Sequence, residues 1–272
     1  MKSVFVETSI MVDRIFKDRT AKYDAVCSNY GKKISSQFVR LEVKKGFLSY
    51  CILLYNKAEQ CTTVDQVVSY VHTISSGPAR HRLSSMLELI VKWLKETHAT
   101  VVSQIDPIFI TLGDYQIHHL RAFLKNVIEK GWYFFDIVID DVINEIGAFN
   151  DLPGPQYNSE KKLFNNSMPT QYVKDNVEMI FCYVCKNAGK FSAIRERLKK
   201  ETEDHETKKR ITAIKEILKH RGNPSLAQCQ YCGDALIVVE APDDSVIFTN
   251  NMKHVKPIAE AINKAVVGYK RN

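Results

Sequence analysis

The chain opens with a short apolar run, which an acid and two hydroxyl residues follow. This arrangement constrains the fold more than any other feature. Ser3–Val6 is apolar and β-prone, which is typical of a strand buried inside a parallel sheet. Glu7 comes next, and the hydroxyls of Thr8 and Ser9 are suited to capping a helix that begins near Ile10. The chain therefore begins as the strand–turn–helix unit of an α/β fold.

The two ends of the sequence share this rhythm of short strands and helices. Near the start, a second strand is expected at 33–36, followed by a helix over roughly 37–56. Near the end, the pattern predicts a helix at 235–241 that Pro242 stops, a strand at 245–249, a helix at 255–264 and a last short strand at 265–268. We expect strands from both termini to share one parallel sheet.

The middle of the chain predicts helices. Helix-like periods occur at 64–74, 83–97, 115–130, 134–149, 172–186 and 191–220, separated by Pro and Gly breaks at 77–78, 106–107, 151–155 and 222–224. The fold class is therefore α/β, with a core formed by residues 1–60 and 222–272. Residues 61–221 are expected to form a mostly α-helical insertion into that core.

Composition narrows the class of protein. The 272 residues are 45% hydrophobic and 25% charged, which is ordinary for a globular chain, and the formal net charge is +7. Seven cysteines, an odd number, favour a reducing compartment over a disulfide framework. No apolar run resembles a signal peptide or reaches the ~18 residues of a membrane helix. We expect a cytoplasmic protein with no membrane partner.

Charge is unevenly distributed along the middle of the chain. Residues 190–221 contain 11 Lys or Arg against six Asp or Glu, whereas residues 101–160 contain nine acids against three bases. The basic stretch indicates either a surface for a phosphate backbone or an exposed helix face. Four acids (Asp136, Asp140, Asp141 and Glu145) fall within the helix expected at 134–149, where a solvated acidic face is the simpler interpretation.

Three acids stand where an α/β sheet builds sites. Glu7 follows the first strand, at the end where parallel sheets bind ligands. Glu42 lies within an apolar helix, and Gly46 one turn later leaves space beside it. Asp234 stands at a helix start, where backbone N–H groups favour a carboxylate. Each acid taken alone is also explained by a surface or capping position.

Four segments in order resemble the motifs of the PIN-domain nuclease family. They are Val4-Phe5-Val6-Glu7-Thr8-Ser9, the stretch from Ile34 to Phe47 with an acid before Lys-Gly, the Gly233-Asp234-Ala235 triplet with the apolar helix after it, and Val246-Ile247-Phe248-Thr249-Asn250-Asn251. Together they cover about the first 55 and the last 45 residues. The resemblance implies a three-layer α/β/α core around a central parallel sheet.

The resemblance also implies a function, that of a metal-dependent endoribonuclease. Glu7, Glu42 and Asp234 would hold Mg²⁺ or Mn²⁺, and Asn251 would complete the catalytic set. Thr8, Ser9 and Thr249 would donate hydrogen bonds to a ligand or to the acids, and Lys44 or Lys253 would meet a phosphate. The implied substrate is RNA rather than DNA. A regulatory protein partner or a homodimer is compatible with the size of the chain.

Two departures from the family pattern keep a second function open. The first acid is Glu7, although the family usually has Asp there, and the fourth position is the amide Asn251, or Asn250 if the offset differs. An amide can bind a metal through its oxygen but lacks the charge. The alternative is a catalytically degenerate PIN-like module that binds RNA or a protein partner without cleaving it.

Two C-x-x-C pairs suggest a third possibility, a zinc site. Cys182 and Cys185 form one pair, and Cys229 and Cys232 form the other. A four-cysteine zinc site uses such pairs, but 43 residues separate Cys185 from Cys229. The first pair lies in an apolar helical run, where buried free cysteines are common. A zinc-stabilised interaction protein is therefore the weakest of the three hypotheses.

Overall fold

A central sheet of five parallel strands organises the protein. The computed structural model describes residues 2–16, 19–74, 87, 89–94, 112–150, 154–165, 176–201, 204–219 and 225–269. The five strands lie in the order β3-β2-β1-β6-β7. The strands are β1 (Ser3–Val6), β2 (Lys32–Ser36), β3 (Asp141–Ile143), β6 (Val246–Phe248) and β7 (Val266–Val267), and β4 (Tyr157–Asn158) and β5 (Leu163–Phe164) form a separate antiparallel pair.

Helices surround this sheet, and their bounds follow the expected periods closely at the two ends of the chain. The N-terminal helices are α1 (Thr8–Phe16), α2 (Thr20–Cys27), α3 (Gln37–Glu42), a π-helical segment (Val43–Leu48), α4 (Ser49–Glu59) and α5 (Val64–Ile74). The others are α6 (Leu112–Val138), α7 (Val177–Lys186), α8 (Ala188–Leu198), α9 (His205–Lys219), α10 (Leu226–Tyr231), α11 (Gly233–Glu240) and α12 (Met252–Glu260), with a short helical stretch at 89–94.

The first strand is the middle of the sheet, which explains its apolar composition. Val4, Phe5 and Val6 are fully buried, and β1 pairs in parallel with β2 on one side and β6 on the other. The chain runs from β1 outward to β2 and β3, and later returns to the opposite side of β1 as β6 and β7. The strand order thus reverses between β1 and β6. Open α/β sheets bind ligands beyond the carboxyl ends of the strands at such a switch point.

The α/β fold class is confirmed, and the sheet is compatible with a three-layer α/β/α arrangement. Four of its five strands come from residues 1–60 and 222–272, as expected. The fifth, β3, comes from the middle of the chain and pairs with β2 through Ile34 and Asp141. The expectation that the termini alone build the sheet is therefore incomplete. The division into a core and an insertion at 61–221 stays a prediction.

Three expected helices differ from the structure. The helix expected at 134–149 is wrong, because α6 ends at Val138 and Asp141–Ile143 is a strand. The helix expected at 191–220 is two helices, α8 and α9, and the helix expected at 37–56 contains the π-helical segment Val43–Leu48. The breaks expected at 77–78, 106–107 and 222–224 lie outside the described residues, as do most of 83–97 and the start of 172–186.

The acids near β3 are held by bases from β2 and α3, not by one helix face. Each acid has its own partner: Lys32 Nζ lies 2.7 Å from Asp141, Lys33 Nζ lies 3.3 Å from Asp140, and Arg40 Nη2 lies 2.8 Å from Asp136. All three carboxylates remain more than 40% exposed. We call Asp136, Asp140 and Asp141 the rim acids. Their pairing with β2 and α3 supports a structural role.

One hydrophobic core includes residues from both ends and from the middle. Phe5 and Phe248 from the sheet belong to the same buried cluster as Trp93 and Phe135 from the central helices. This continuity places the central helices against the sheet rather than apart from it. Among the residues that the structure describes, none of the helices combines the length and the apolar character needed to cross a membrane.

Candidate functional site

Glu7 lies at the switch point of the sheet, directly after β1. Its backbone N–H donates to the carbonyl of Phe248 at 3.1 Å, which holds the end of β1 beside the end of β6. Its carbonyl accepts from the N–H groups of Ile10 and Met11, so α1 begins here. The N-terminal end of a helix favours negative charge. The backbone therefore turns the Glu7 carboxylate into the space beyond the strand ends.

Three hydrogen bonds hold the Glu7 carboxylate. Oε2 accepts from the Ser9 hydroxyl at 2.5 Å, from the Ser9 N–H at 3.1 Å and from the Thr249 hydroxyl at 2.8 Å. Only 4% of Glu7 is exposed. The pKa of Glu7 is raised to about 7. Burial is the largest cause, the negative charge of Asp234 also raises the pKa, and the hydrogen bonds from Ser9 and Thr249 lower it. The hydrogen bonds do not fully compensate the buried charge.

Glu42 reaches the same place from the end of α3. Its Oε2 accepts from the Thr8 hydroxyl at 2.6 Å, which ties it to the residue next to Glu7. Its Oε1 lies so close to Gly233 that a Cβ there would stand 2.9 Å from the oxygen. A larger residue at this position would push the Glu42 carboxylate away from the start of α11. The second acid thus packs against the segment that carries the third.

Asp234 lies in the first turn of α11, and Arg210 from α9 binds it. The Arg210 Nη2 group donates to Asp234 Oδ2 in an ion pair, with the two side chains 7% and 20% exposed. The Nε and Nη1 atoms of Arg210 are buried, with no hydrogen-bond partner among the described residues. The site therefore contains a buried cation with unused donors.

The three predicted acids lie around the start of α11, but they are not arranged as a metal cage. Within the described ranges, no three His, Cys, Asp or Glu side chains stand close enough to hold one metal ion. The charge of Asp234 acts on Glu7, and Glu42 Oε1 lies beside Gly233, the residue before Asp234. Carboxylate oxygens are the donors that a hard divalent cation prefers. Asp234 would have to exchange Arg210 for such an ion. We call Glu7, Glu42 and Asp234 the inner acids.

The hydroxyls expected to meet a substrate are directed to the acids. Thr8 donates to Glu42, and Ser9 and Thr249 donate to Glu7. A hydroxyl has one proton to donate, so these three are committed in this arrangement. They act as positioning residues that orient the two carboxylates. The sequence left both roles open for them.

The two asparagines after β6 contribute through their backbones. The N–H of Asn250 donates to the Ser9 hydroxyl at 2.9 Å, and the N–H of Asn251 donates to the Thr249 hydroxyl at 2.9 Å. The Asn250 side chain donates to the buried Asp13. Asn251 directly precedes α12, and its role in the catalytic set stays a prediction.

Lys44 lies inside the protein, where it does not meet a solvent-exposed phosphate. It is 4% exposed, and its Nζ lies 3.6 Å from the centre of the Trp132 ring, with no hydrogen-bond partner among the described residues. The pKa of Lys44 is lowered to about 7. Burial is the largest cause, the positive charge of Arg40 also lowers the pKa, and Asp136 raises it. The expectation for Lys44 fails because the side chain turns toward α6.

Lys253 does lie on the surface near the site. It is 68% exposed, its Nζ lies 3.3 Å from Asp204, and it lines a small crevice together with Arg210 and His254. This crevice of about 20 Å³ has room for little more than a water molecule. Lys253 is thus exposed to a phosphate in solvent, but such a phosphate would reach the buried Arg210 only if this crevice widened.

Sequence reasoning missed Arg210 as a site residue. It was one of eleven bases in a stretch interpreted as exposed. A signal existed, because Arg210 falls on the same helical face as the buried Thr207, Ile214 and Ile217. A charged residue on an apolar face needs a buried partner, and Asp234 is that partner. Asp13 was also missed; it is 4% exposed and binds Arg19 at 2.8 Å.

The four cysteines of the C-x-x-C pairs do not meet. Cys182 and Cys185 are exposed on α7, contrary to the expectation that this pair is buried, whereas Cys229 and Cys232 are buried. All seven cysteines of the chain are free thiols. The described residues therefore give the zinc hypothesis no four-cysteine group.

No protein-family model matches the chain, and no curated protein or solved structure is significantly similar to it. The likeness to PIN domains therefore depends on the four short segments alone.

Proposed function

We propose that the protein is a metal-dependent endoribonuclease whose site is formed by the inner acids. The observation that carries the proposal is that acids from three distant segments approach the start of α11 near the switch point of the sheet. Glu7 follows β1 and its pKa is raised by the charge of Asp234, whereas Glu42, at the end of α3, reaches Gly233. Glu7 is buried near a second negative charge, which destabilises the fold, and a positively charged ligand would relieve this repulsion.

In this function the inner acids would hold Mg²⁺ or Mn²⁺, ions that bind carboxylate oxygens and retain waters. Such an ion activates a water as nucleophile and neutralises charge that develops on the phosphate. Thr8 keeps Glu42 oriented, and Ser9 and Thr249 keep Glu7 oriented. These contacts preorganise the carboxylates before a substrate arrives.

Arg210 has a role in the same function. Its Nε and Nη1 donors are buried and have no hydrogen-bond partner among the described residues. A guanidinium can bind two oxygens of one phosphate through two neighbouring N–H donors. A phosphodiester beside the inner acids would satisfy them. Arg210 would thus exchange Asp234 for the substrate phosphate, and Lys253 in the adjoining crevice would add a second positive charge.

RNA is the substrate class that the proposal names. The motif resemblance points to RNA, and the net charge of +7 favours a polyanionic partner. The basic residues of α8 and α9 that are not held by neighbouring acids supply part of this attraction. DNA is the competing substrate in the assay below.

The test is cleavage of labelled single-stranded RNA in the presence of Mn²⁺ or Mg²⁺. We expect cleavage that chelation abolishes, and a rate at least about a hundredfold lower in Asp234→Asn and Glu7→Gln, because even partners of metal ligands contribute 10–100-fold. Asp244→Asn and Glu160→Gln are matched controls, since both acids are exposed and lie outside the site. Cleavage that persists unchanged in Asp234→Asn would refute the proposal.

A second function is supported by a specific observation, the ion pair between Arg210 and Asp234. A resident cation already neutralises one inner acid, and the amide Asn251 contributes no charge. A degenerate module that binds RNA or a protein without cleaving it would need no metal. This alternative predicts that wild-type protein and Asp234→Asn bind RNA equally well and that neither cleaves it under any metal condition.

A further inference from the structure

A pocket of about 260 Å³ lies between α9 and α10, outside the inner acids. Its wall on α10 is Tyr231, which is 40% exposed although it is a large aromatic residue. Small side chains, Ala213 and Ala227, line it as well. This size is below that of a pocket for a drug-sized ligand, and it suits a planar group such as a single nucleobase.

The charged residues that line the pocket are predominantly basic. His205, Lys208 and Lys209 line it from α9, and its acid, Glu216, accepts a hydrogen bond from the Gln228 side chain at 2.5 Å. The Lys209 Nζ lies over the Tyr231 ring, 5.0 Å from its centre. An aromatic face next to ammonium groups is the combination that binds single-stranded nucleic acid, because the ring stacks on a base and the cations meet the phosphates.

The pocket adjoins the inner acids through both of its helices. Lys209 immediately precedes Arg210, which binds Asp234, and Tyr231 precedes Asp234 by three residues. A strand whose phosphate lies at Arg210 therefore has the pocket within reach of a neighbouring nucleotide.

We propose that this pocket binds one unpaired nucleobase of the RNA, stacked on Tyr231, with its phosphate held by Lys208 and Lys209. The proposal rests on the function proposed above and specifies its substrate as single-stranded, because a base inside a duplex cannot enter a side pocket. A base that enters takes over the ring contact of Lys209, and the ammonium turns to the phosphate.

Fluorescence anisotropy with a labelled single-stranded RNA, measured in EDTA to prevent cleavage, tests the pocket. We expect Tyr231→Ala to weaken binding about tenfold or more, and Tyr231→Phe to bind like wild type because the ring is retained. Lys209→Ala should reduce the slope of log affinity against log salt by about one. Thermal melts establish that each variant is folded.

Two matched controls lie elsewhere on the molecule. Tyr133→Ala removes a tyrosine that is 64% exposed on α6, and Lys22→Ala removes an exposed lysine of α2, which does not line the pocket. Neither control should change the affinity by more than about twofold, since isolated surface residues contribute little. A duplex of the same sequence should bind more weakly than the single strand and be insensitive to Tyr231→Ala.

The results distinguish a failure of the pocket proposal from a failure of the proposed function. If Tyr231→Ala and Lys209→Ala bind RNA as tightly as wild type while metal-dependent cleavage persists, the pocket is not the base site. Equal losses on single strand and duplex would refute base stacking. If wild-type protein neither binds nor cleaves RNA, the proposed function fails together with the pocket.

Discussion

The rim acids and the inner acids differ in what neutralises them. Each rim acid is more than 40% exposed and has a lysine or arginine partner from β2 or α3. Among the inner acids, Glu7 and Glu42 are held by hydroxyl groups, and Asp234 is bound by Arg210. The sequence is acidic at both places, so acidity alone does not identify a site. The kind of group that compensates the charge distinguishes the two places.

The difference has an energetic consequence. An exposed ion pair changes the free energy of unfolding by less than about 1 kcal/mol, because water screens both charges. A buried carboxylate that lacks a charged partner destabilises the fold until it binds a proton or a cation. The raised pKa of Glu7 reports this imbalance. Glu7 is therefore a place where a cationic ligand would stabilise the protein.

Removal of Arg210 should produce the largest effect on stability. Arg210→Met leaves the partly buried Asp234 without its cation, and we expect the free energy of unfolding to fall by about 3 kcal/mol in urea titrations. The double variant Arg210→Met with Asp234→Asn should recover most of the loss, because both charges are then absent. A loss below about 1 kcal/mol would place Asp234 in the same class as the rim acids.

Glu240 extends the comparison, because it is a buried acid outside the site. It is 2% exposed at the end of α11. The pKa of Glu240 is raised to about 7. Burial is the largest cause, and the nearby Glu145 also raises the pKa, whereas Ser36 and backbone groups at 145–146 lower it. Between the unfolded pKa of 4.5 and about 7, the folded protein binds more protons, so stability falls as pH rises through this window.

Glu240→Gln should therefore stabilise the protein in a pH-dependent way. At pH 4.5 or below the variant and the wild type should unfold alike, and at pH 8 the variant should be more stable by up to about 3 kcal/mol. Urea unfolding at both pH values measures this difference. Glu160→Gln, at an exposed acid, is the control and should show no such dependence. A pH-independent difference between Glu240→Gln and wild type would contradict the linkage.

The smallest effect is expected at the rim. Lys32→Met removes the partner of Asp141 from a pair whose side chains are 50% and 44% exposed. We expect the free energy of unfolding to fall by no more than about 1 kcal/mol, with a smaller difference at high salt. If Lys32→Met were as destabilising as Arg210→Met, the distinction between rim and inner acids would be lost.

The sequence predicted the parts of the fold whose patterns are local. Val4–Val6 is apolar at every position, and such a run has few alternatives to a buried strand. The strand Asp141–Ile143 was missed because the apolar period of α6 continues past Val138, so the pattern itself does not mark the end of the helix. The open edge of β2 decides that these residues pair as a strand, and an edge of this kind is visible only in three dimensions.

The candidate site was predicted in part for the same reason. Glu7 follows a strand, Glu42 lies within an apolar helical stretch, and Asp234 stands in the first turn of a helix, and such positions can be inferred from patterns. The burial of Lys44 against Trp132 could not be inferred, because the π-helical segment Val43–Leu48 changes the direction of its side chains. The partner of Asp234 could not be inferred either, since Arg210 lies on a different helix, 24 residues earlier in the chain.

The hydrogen bond between Thr249 and Glu7 joins residues 242 positions apart. Ribosomes add ~5–20 residues per second, so a nascent chain carries Glu7 for roughly 10–50 seconds before Thr249 exists. During that time β1 lacks its neighbour β6, and Glu7 lacks one of the hydroxyls that orient it. A protein of this design acquires its assembled carboxylate site only near the end of its own synthesis.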